Sequence, residues 1–128
     1  MSLIQHSLTL SWSRNGEQIS QTVVIEADGE TNRNITVPAN QTDLAVNLDV
    51  DVSAMKSLYI HSDKALTIQT NDGTTPDDTI TVAANSPVIW YTGCGWDSPL
   101  SADVTGTIYV TNTDAALLKI RILTDSTP

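Results

Sequence analysis

The single thiol of this chain, Cys94, sits in the stretch Thr92-Gly93-Cys94-Gly95-Trp96-Asp97, and the available bases are His6 and His61. A thiol nucleophile needs such a base within hydrogen-bond reach. His6 lies near the terminus and His61 in a polar turn, so the pattern brings neither to Cys94, and a glycine-flanked thiol reads as incidental. Asp49 and Asp51 share one face of an alternating segment, where paired carboxylates could do acid–base work. The same alternation makes them the wet side of an amphipathic strand. The loop Asn71-Asp72-Gly73-Thr74-Thr75-Pro76-Asp77-Asp78 offers three carboxylates, and calcium favours oxygen-rich loops. Its spacing misses the helix-flanked calcium signature, and turn formation accounts for Asp and Gly equally well. No catalytic residue, metal ligand or cofactor site is expected, and the chain reads as a non-enzyme.

The aromatic residues offer binding rather than reaction. Trp90, Tyr91 and Trp96 could form a platform for a sugar ring. Trp90 is in phase with Val88 and is expected in the core. Trp96 stands among few apolar neighbours, where it either caps the open end of the fold or anchors a partner, a role in which tryptophan is enriched. Tyr59 and Tyr109 each lie opposite an apolar pair on their strands. They are either solvated tyrosines or subunit contacts, since tyrosine is amphipathic and loses little entropy on burial. With Ile4 and Leu8 from the N-terminal segment, Trp96, Tyr59 and Tyr109 make up the candidate interface.

The elements that must position these residues are strands. Residues 7–13 alternate, with Leu8, Leu10 and Trp12 on one side. Asn15-Gly16 is a hairpin-turn signal, and residues 19–27 follow, with Ile19, Val23 and Ile25 sharing a face. Asp28-Gly29 reads as another hairpin turn, and residues 34–38 as a short strand ending at proline. Residues 43–52 alternate strictly, with Leu44, Val46, Leu48, Val50 and Val52 inward. A single helical turn is expected at 53–56. Two similar units come next, Leu58-Tyr59-Ile60 through Leu66-Thr67-Ile68 and Ile108-Tyr109-Val110 through Leu118-Lys119-Ile120. Each reads as a hairpin with an Asp in its turn and an Ala after it. Residues 79–83 and 88–91 are further strands, residues 92–103 the longest irregular stretch. This predicts an all-β, single antiparallel β-sandwich, jelly-roll-like, of about nine or ten short strands. One domain over residues 1–128 is expected, with residues 1–6 as an N-terminal arm and 124–128 as a flexible tail.

Composition narrows the partners. The 128 residues carry 15 acidic against six basic side chains, a net charge of −9. Nucleic-acid surfaces need clustered Lys and Arg, and an anionic membrane would repel this chain, so neither is expected. A single cysteine forbids an intrachain disulfide. No basic, apolar leader opens the chain and no apolar run reaches membrane-spanning length.

The text Leu58-Tyr59-Ile60 to Gln69-Thr70-Asn71, then Asp78-Thr79-Ile80-Thr81-Val82, Pro87-Val88-Ile89-Trp90 and Ile108-Tyr109-Val110-Thr111-Asn112 to Ile122-Leu123, resembles head decoration (cement) proteins of tailed bacteriophages, of jelly-roll type. The resemblance spans roughly residues 44–125. It implies a virion protein on the outer capsid surface, assembled in the bacterial cytoplasm. Its partners would be the major capsid protein and itself, as homodimer or homotrimer, bridging coat subunits to stabilise the expanded head. A carbohydrate- or receptor-binding module and a tail or baseplate subunit are the alternatives.

Overall fold

The computed structural model describes residues 3–125. Its strands are β1 (Ile4–Arg14), β2 (Glu17–Ala27), β3 (Gly29–Val37), β4 (Leu44–Val50), β5 (Met55–Ser62), β6 (Leu66–Thr70), β7 (Thr79–Val82), β8 (Val88–Tyr91), β9 (Val104–Asn112) and β10 (Ala116–Thr124). β1 and β2 form a separate two-stranded ribbon. The other eight strands make two four-stranded sheets, ordered β3-β10-β5-β8 and β4-β9-β6-β7.

Those orders follow from a nested antiparallel scheme. β3 pairs with β10, β4 with β9, β5 with β8 and β6 with β7. The chain from β3 to β10 is therefore one long hairpin rolled over itself, which is the jelly roll. The roll is closed by β5 against β10 and β6 against β9. The β-sandwich read from the alternation is thus the architecture found.

The core lies between the sheets. Leu58 and Ile60, beside Leu118, Ile120 and Ile122 of the same sheet, face Ile68, Ile80, Ile108 and Val110 of the other, all at most 5% exposed. Burying each such side chain contributes about 1.5–3 kcal/mol. β4 alternates as expected, with Val46, Leu48 and Val50 buried and Ala45, Asn47 and Asp49 exposed. Val52 opens a 3-10 turn at Val52–Ala54, one residue before the turn expected at 53–56. Asp51 caps this turn, its carboxylate accepting from Ser53 N at 3.0 Å.

Several local expectations are corrected. The two Tyr-bearing units are not hairpins. β5 and β6 lie in different sheets, as do β9 and β10, so each unit is an arch crossing the sandwich. Alternation cannot distinguish the two, because both put Leu58, Ile60, Leu66 and Ile68 toward one interior. The Asp28-Gly29 turn is not a hairpin either, since β2 and β3 do not pair. There the chain leaves the ribbon and enters the body sheet. Gly29 lies opposite Thr124, and a Cβ on it would come within 2.8 Å of Thr124 Oγ1. β3 extends well N-terminal of residue 34, its polar run Glu30–Asn34 having hidden it. Thr124 and Asp125, expected in the flexible tail, are held in place: Thr124 pairs with Gly29 and Met55, and Asp125 N donates to Ala54 O at 2.8 Å. Residues 126–128 of that expected tail lie outside the described residues, as do residues 1–2 of the expected arm.

Candidate interaction surface

β1 begins at Ile4, so residues 4–6 of the segment expected as an arm are the first residues of the ribbon. β1 and β2 pair without a register shift from Ile4 opposite Ala27 to Arg14 opposite Glu17. Asn15 and Gly16 join them, both at positive φ, as the Asn-Gly signal anticipates. Eleven paired residues extend about 37 Å at the usual rise.

Directly opposed residues share a face. One face carries Ile4, His6, Leu8, Leu10 and Trp12 against Ala27, Ile25, Val23, Gln21 and Ile19. The other carries Gln5, Ser7, Thr9, Ser11 and Ser13 against Glu26, Val24, Thr22, Ser20 and Gln18. The ribbon is therefore mostly apolar on one side, interrupted by His6 and Gln21 and ending at the Arg14–Glu17 pair, and polar on the other apart from Val24.

Only the root of the apolar face is covered. It crosses β5 and β10, where Ala27 is 1% exposed and Ile4, Leu8, Val23 and Ile25 are half-buried. The crossing also buries Leu123 and Ser57 on the outer side of the sheet. His6 Nε2 meets Glu30 Oε2 at 2.7 Å and ties the root to β3. Farther out the same face is bare: Leu10, Trp12 and Ile19 are 39%, 75% and 62% exposed.

Ribbon and sheet diverge as a wedge. The cleft between them measures about 570 Å³, with His6, Leu8 and Ile25 as roof and Tyr59, Ile89 and Arg121 on its floor. Tyr59 stacks on His61, with ring centroids 6.5 Å apart and planes 5° from parallel. The Arg121 guanidinium is held by Arg33 O at 3.1 Å and Asn34 Oδ1 at 2.8 Å.

The structure brings only part of the expected interface together. Ile4 and Leu8 lie on the ribbon's apolar face and Tyr59 on the cleft floor. Tyr109, half-buried opposite Ala45 and Gln69, belongs to the other sheet. It therefore faces away from Tyr59, and the two tyrosines form no common patch. Trp96 packs against the edge strand β8. Its Nε1 donates to Ile89 O at 2.9 Å, its carbonyl accepts from Trp90 Nε1 at 3.2 Å, and its ring packs edge-on to Tyr91 at 5.6 Å. From the same loop it is Leu100, 4% exposed, that enters the core. Trp90 is half-buried and packs against the core.

The possible reaction centres are engaged elsewhere. Cys94 Sγ donates to Trp96 O at 3.4 Å, while the two histidines contact Glu30 and Tyr59. Asp72 accepts from Thr74 N at 2.8 Å and Thr75 Oγ1 at 3.1 Å. Those bonds, the Thr74 amide foremost, hold its carboxyl below the usual carboxylate range. Asp77 accepts from Asn71 Nδ2 at 2.6 Å, and Asp78 accepts from Ser101 N at 2.8 Å. Among the described residues, no three His, Cys, Asp or Glu side chains are grouped to hold a metal ion. What sequence reading missed is the outer half of the ribbon, Leu10, Trp12 and Ile19, as a surface. Its signal was present: two apolar alternations of matching phase on either side of Asn-Gly.

No family model matches the chain and no curated protein matches it. Among solved structures it is similar to a chain described under "Bacillus endospore appendages form a novel family of disulfide-linked pili". The identity is 14%, over 98% of this chain and 90% of that one, with a TM-score of 0.32. So distant a likeness carries no argument about function.

Proposed function

We propose that this chain is a structural subunit of a multi-copy protein assembly, and specifically a head decoration protein of a tailed bacteriophage. The observation that carries the reading is the one-sided apolar ribbon. The buried core cluster contains no residue before Val37, so the apolar face of the ribbon's outer half serves no packing within the body. An isolated two-stranded ribbon is only marginally stable in water. Trp12 and Ile19 on one rim suit completion by a neighbouring protein, because exposed apolar patches mark contact sites. The jelly-roll order agrees with the family resemblance in residues 44–125. The charge of −9 suits an outer surface better than one facing packaged DNA.

On this reading the work is mechanical. Many copies bind at symmetry-related positions, and each contact between coat subunits opposes outward pressure. Linked copies gain avidity, because a second contact becomes intramolecular. The test is co-sedimentation of the purified protein with heads that lack it, before and after expansion. Saturable binding to expanded heads is expected. No saturable binding to either form would overturn the capsid assignment.

A further inference from the structure

We propose that the bare outer half of the ribbon of one copy lodges in the wedge between ribbon and sheet of a second copy of this chain. This deepens the proposed function by naming the ribbon's partner, and rests on reading the chain as an assembling subunit.

Three observations select a second copy. The first is continuity. The face that covers β5 and β10 at the root continues in the same strand phase to Leu10, Trp12 and Ile19, interrupted only by Gln21, so one surface is half used within the chain and half unused. The second is the fit of an open site. The wedge of about 570 Å³ has mixed walls that offer apolar and aromatic contacts, Leu8 and Ile25 above, Tyr59 and Ile89 below. That volume falls in the range of sites that enclose a bulky apolar group. A chain cannot fill its own wedge. Its ribbon pairs without bulge or register shift from root to tip, and an unbulged ladder does not fold back on itself.

The third is charge. At a net −9, two copies repel over most of their surfaces. The ribbon tip is balanced, Arg14 standing opposite Glu17. The wedge is balanced too, its formal charges being Glu30 and Arg121. Both halves of the proposed contact are thus neutral patches on an acidic protein. The contact is heterologous, tip into wedge, so it closes a ring when the rotation between copies allows.

The test uses the full chain. p-Benzoylphenylalanine replaces Trp12 in copies grown in heavy nitrogen, and these are mixed with unlabelled copies and irradiated. The expected products join position 12 of one copy to peptides carrying Tyr59, Ile89 or Arg121 of another. In parallel, sedimentation equilibrium compares wild type with Trp12→Ser and with Ile89→Asp, which alters the wedge and leaves the ribbon intact. Both variants are expected to associate about 30-fold or more weakly, the scale of a buried tryptophan anchor. Unchanged thermal melting shows that their bodies are folded. Cross-links confined to one copy or mapping to other surfaces would overturn the proposal, as would wild type remaining monomeric. Expanded heads that bind the dissociated Trp12→Ser protein would leave the capsid reading standing on its own. Heads that ignore an intact oligomer would overturn that reading and not this one.

Discussion

Trp96 can be either a strut of the edge strand or an anchor for something outside, and its geometry assigns a magnitude to the first. The residue is 48% exposed, so about half of its surface is buried against β8 and Tyr91. Half of a tryptophan surface is about 100 Å², worth about 2.5 kcal/mol at 25 cal/mol per Å². The Nε1 bond to Ile89 O adds about 1 kcal/mol, and the edge-on pair with Tyr91 about 1 kcal/mol. A compact denatured state already hides part of that area. Trp96→Ala should therefore cost about 3 kcal/mol, lowering the melting temperature by about 10 °C for a domain of this size. Trp96→Phe keeps a ring and loses the indole donor, and should cost about 1 kcal/mol, or about 4 °C. Thermal denaturation followed by circular dichroism reads both values. Amide exchange should quicken first along Val88–Tyr91, the strand Trp96 holds. A Trp96→Ala protein that melts within about 2 °C of wild type would refute the strut. Loss of glycan-array binding in that stable variant would then favour a carbohydrate-binding module.

Three other outcomes follow from the same structure. Ile120→Ala, on a central strand and 1% exposed, should destabilise by about 3 kcal/mol through its cavity, measured by urea unfolding. Gly29→Ala should destabilise by about 1–3 kcal/mol, because its Cβ would meet Thr124 Oγ1 at 2.8 Å and Thr124 O at 3.2 Å. Adding Thr124→Ala should restore only part of that loss, the backbone oxygen remaining; full recovery would show that the hydroxyl alone sets the spacing. Asp72 has its carboxyl below the usual 3.8 in the folded state, so its bonds to Thr74 and Thr75 contribute at pH above that value. The contribution fades as pH falls through the lower folded-state value. Amide exchange at Thr74, corrected for intrinsic rates, should therefore lose protection on acidification, and constant protection down to about pH 2 would refute it.

How far the fold was legible depended on which residues spoke. β4 was read almost residue by residue, because one face is core and the other water and Leu44–Val50 alternates without exception. The Asn15-Gly16 turn was legible because few dipeptides tolerate positive φ twice. β3 was nearly invisible: Gly29–Val37 has intermediate or exposed polar residues at most positions and only Val37 fully buried. Its place is fixed by the ladder to β10, a long-range pairing that no local pattern announces. The arches failed for a related reason. Leu58–Ile68 holds the same inward set whether β5 turns back on itself or crosses to the facing sheet, and the choice rests on β8 and β10 occupying both edges of β5. Leu100 was missed because a lone leucine in an irregular stretch has no period to betray it.

The ribbon poses the opposite problem, since its residues were legible and their purpose within the fold is missing. A strand pair that served only as a spacer could be polar on both sides. Its second face, Thr9, Ser11 and Ser13 against Thr22, Ser20 and Gln18, shows that such a composition still forms the ladder. Thr9 and Thr22 even bond across it at 3.1 Å. The first face instead spends Leu10, Trp12 and Ile19 where water meets them, with no core residue behind. Strand propensity explains the choice poorly, for threonine is also a good strand former. Burial within the chain does not explain it, because the root alone reaches the sheet. Apolar surface in a row, in phase with the covered root and with an open wedge beneath, is what remains when a contact has been drawn with one partner left out.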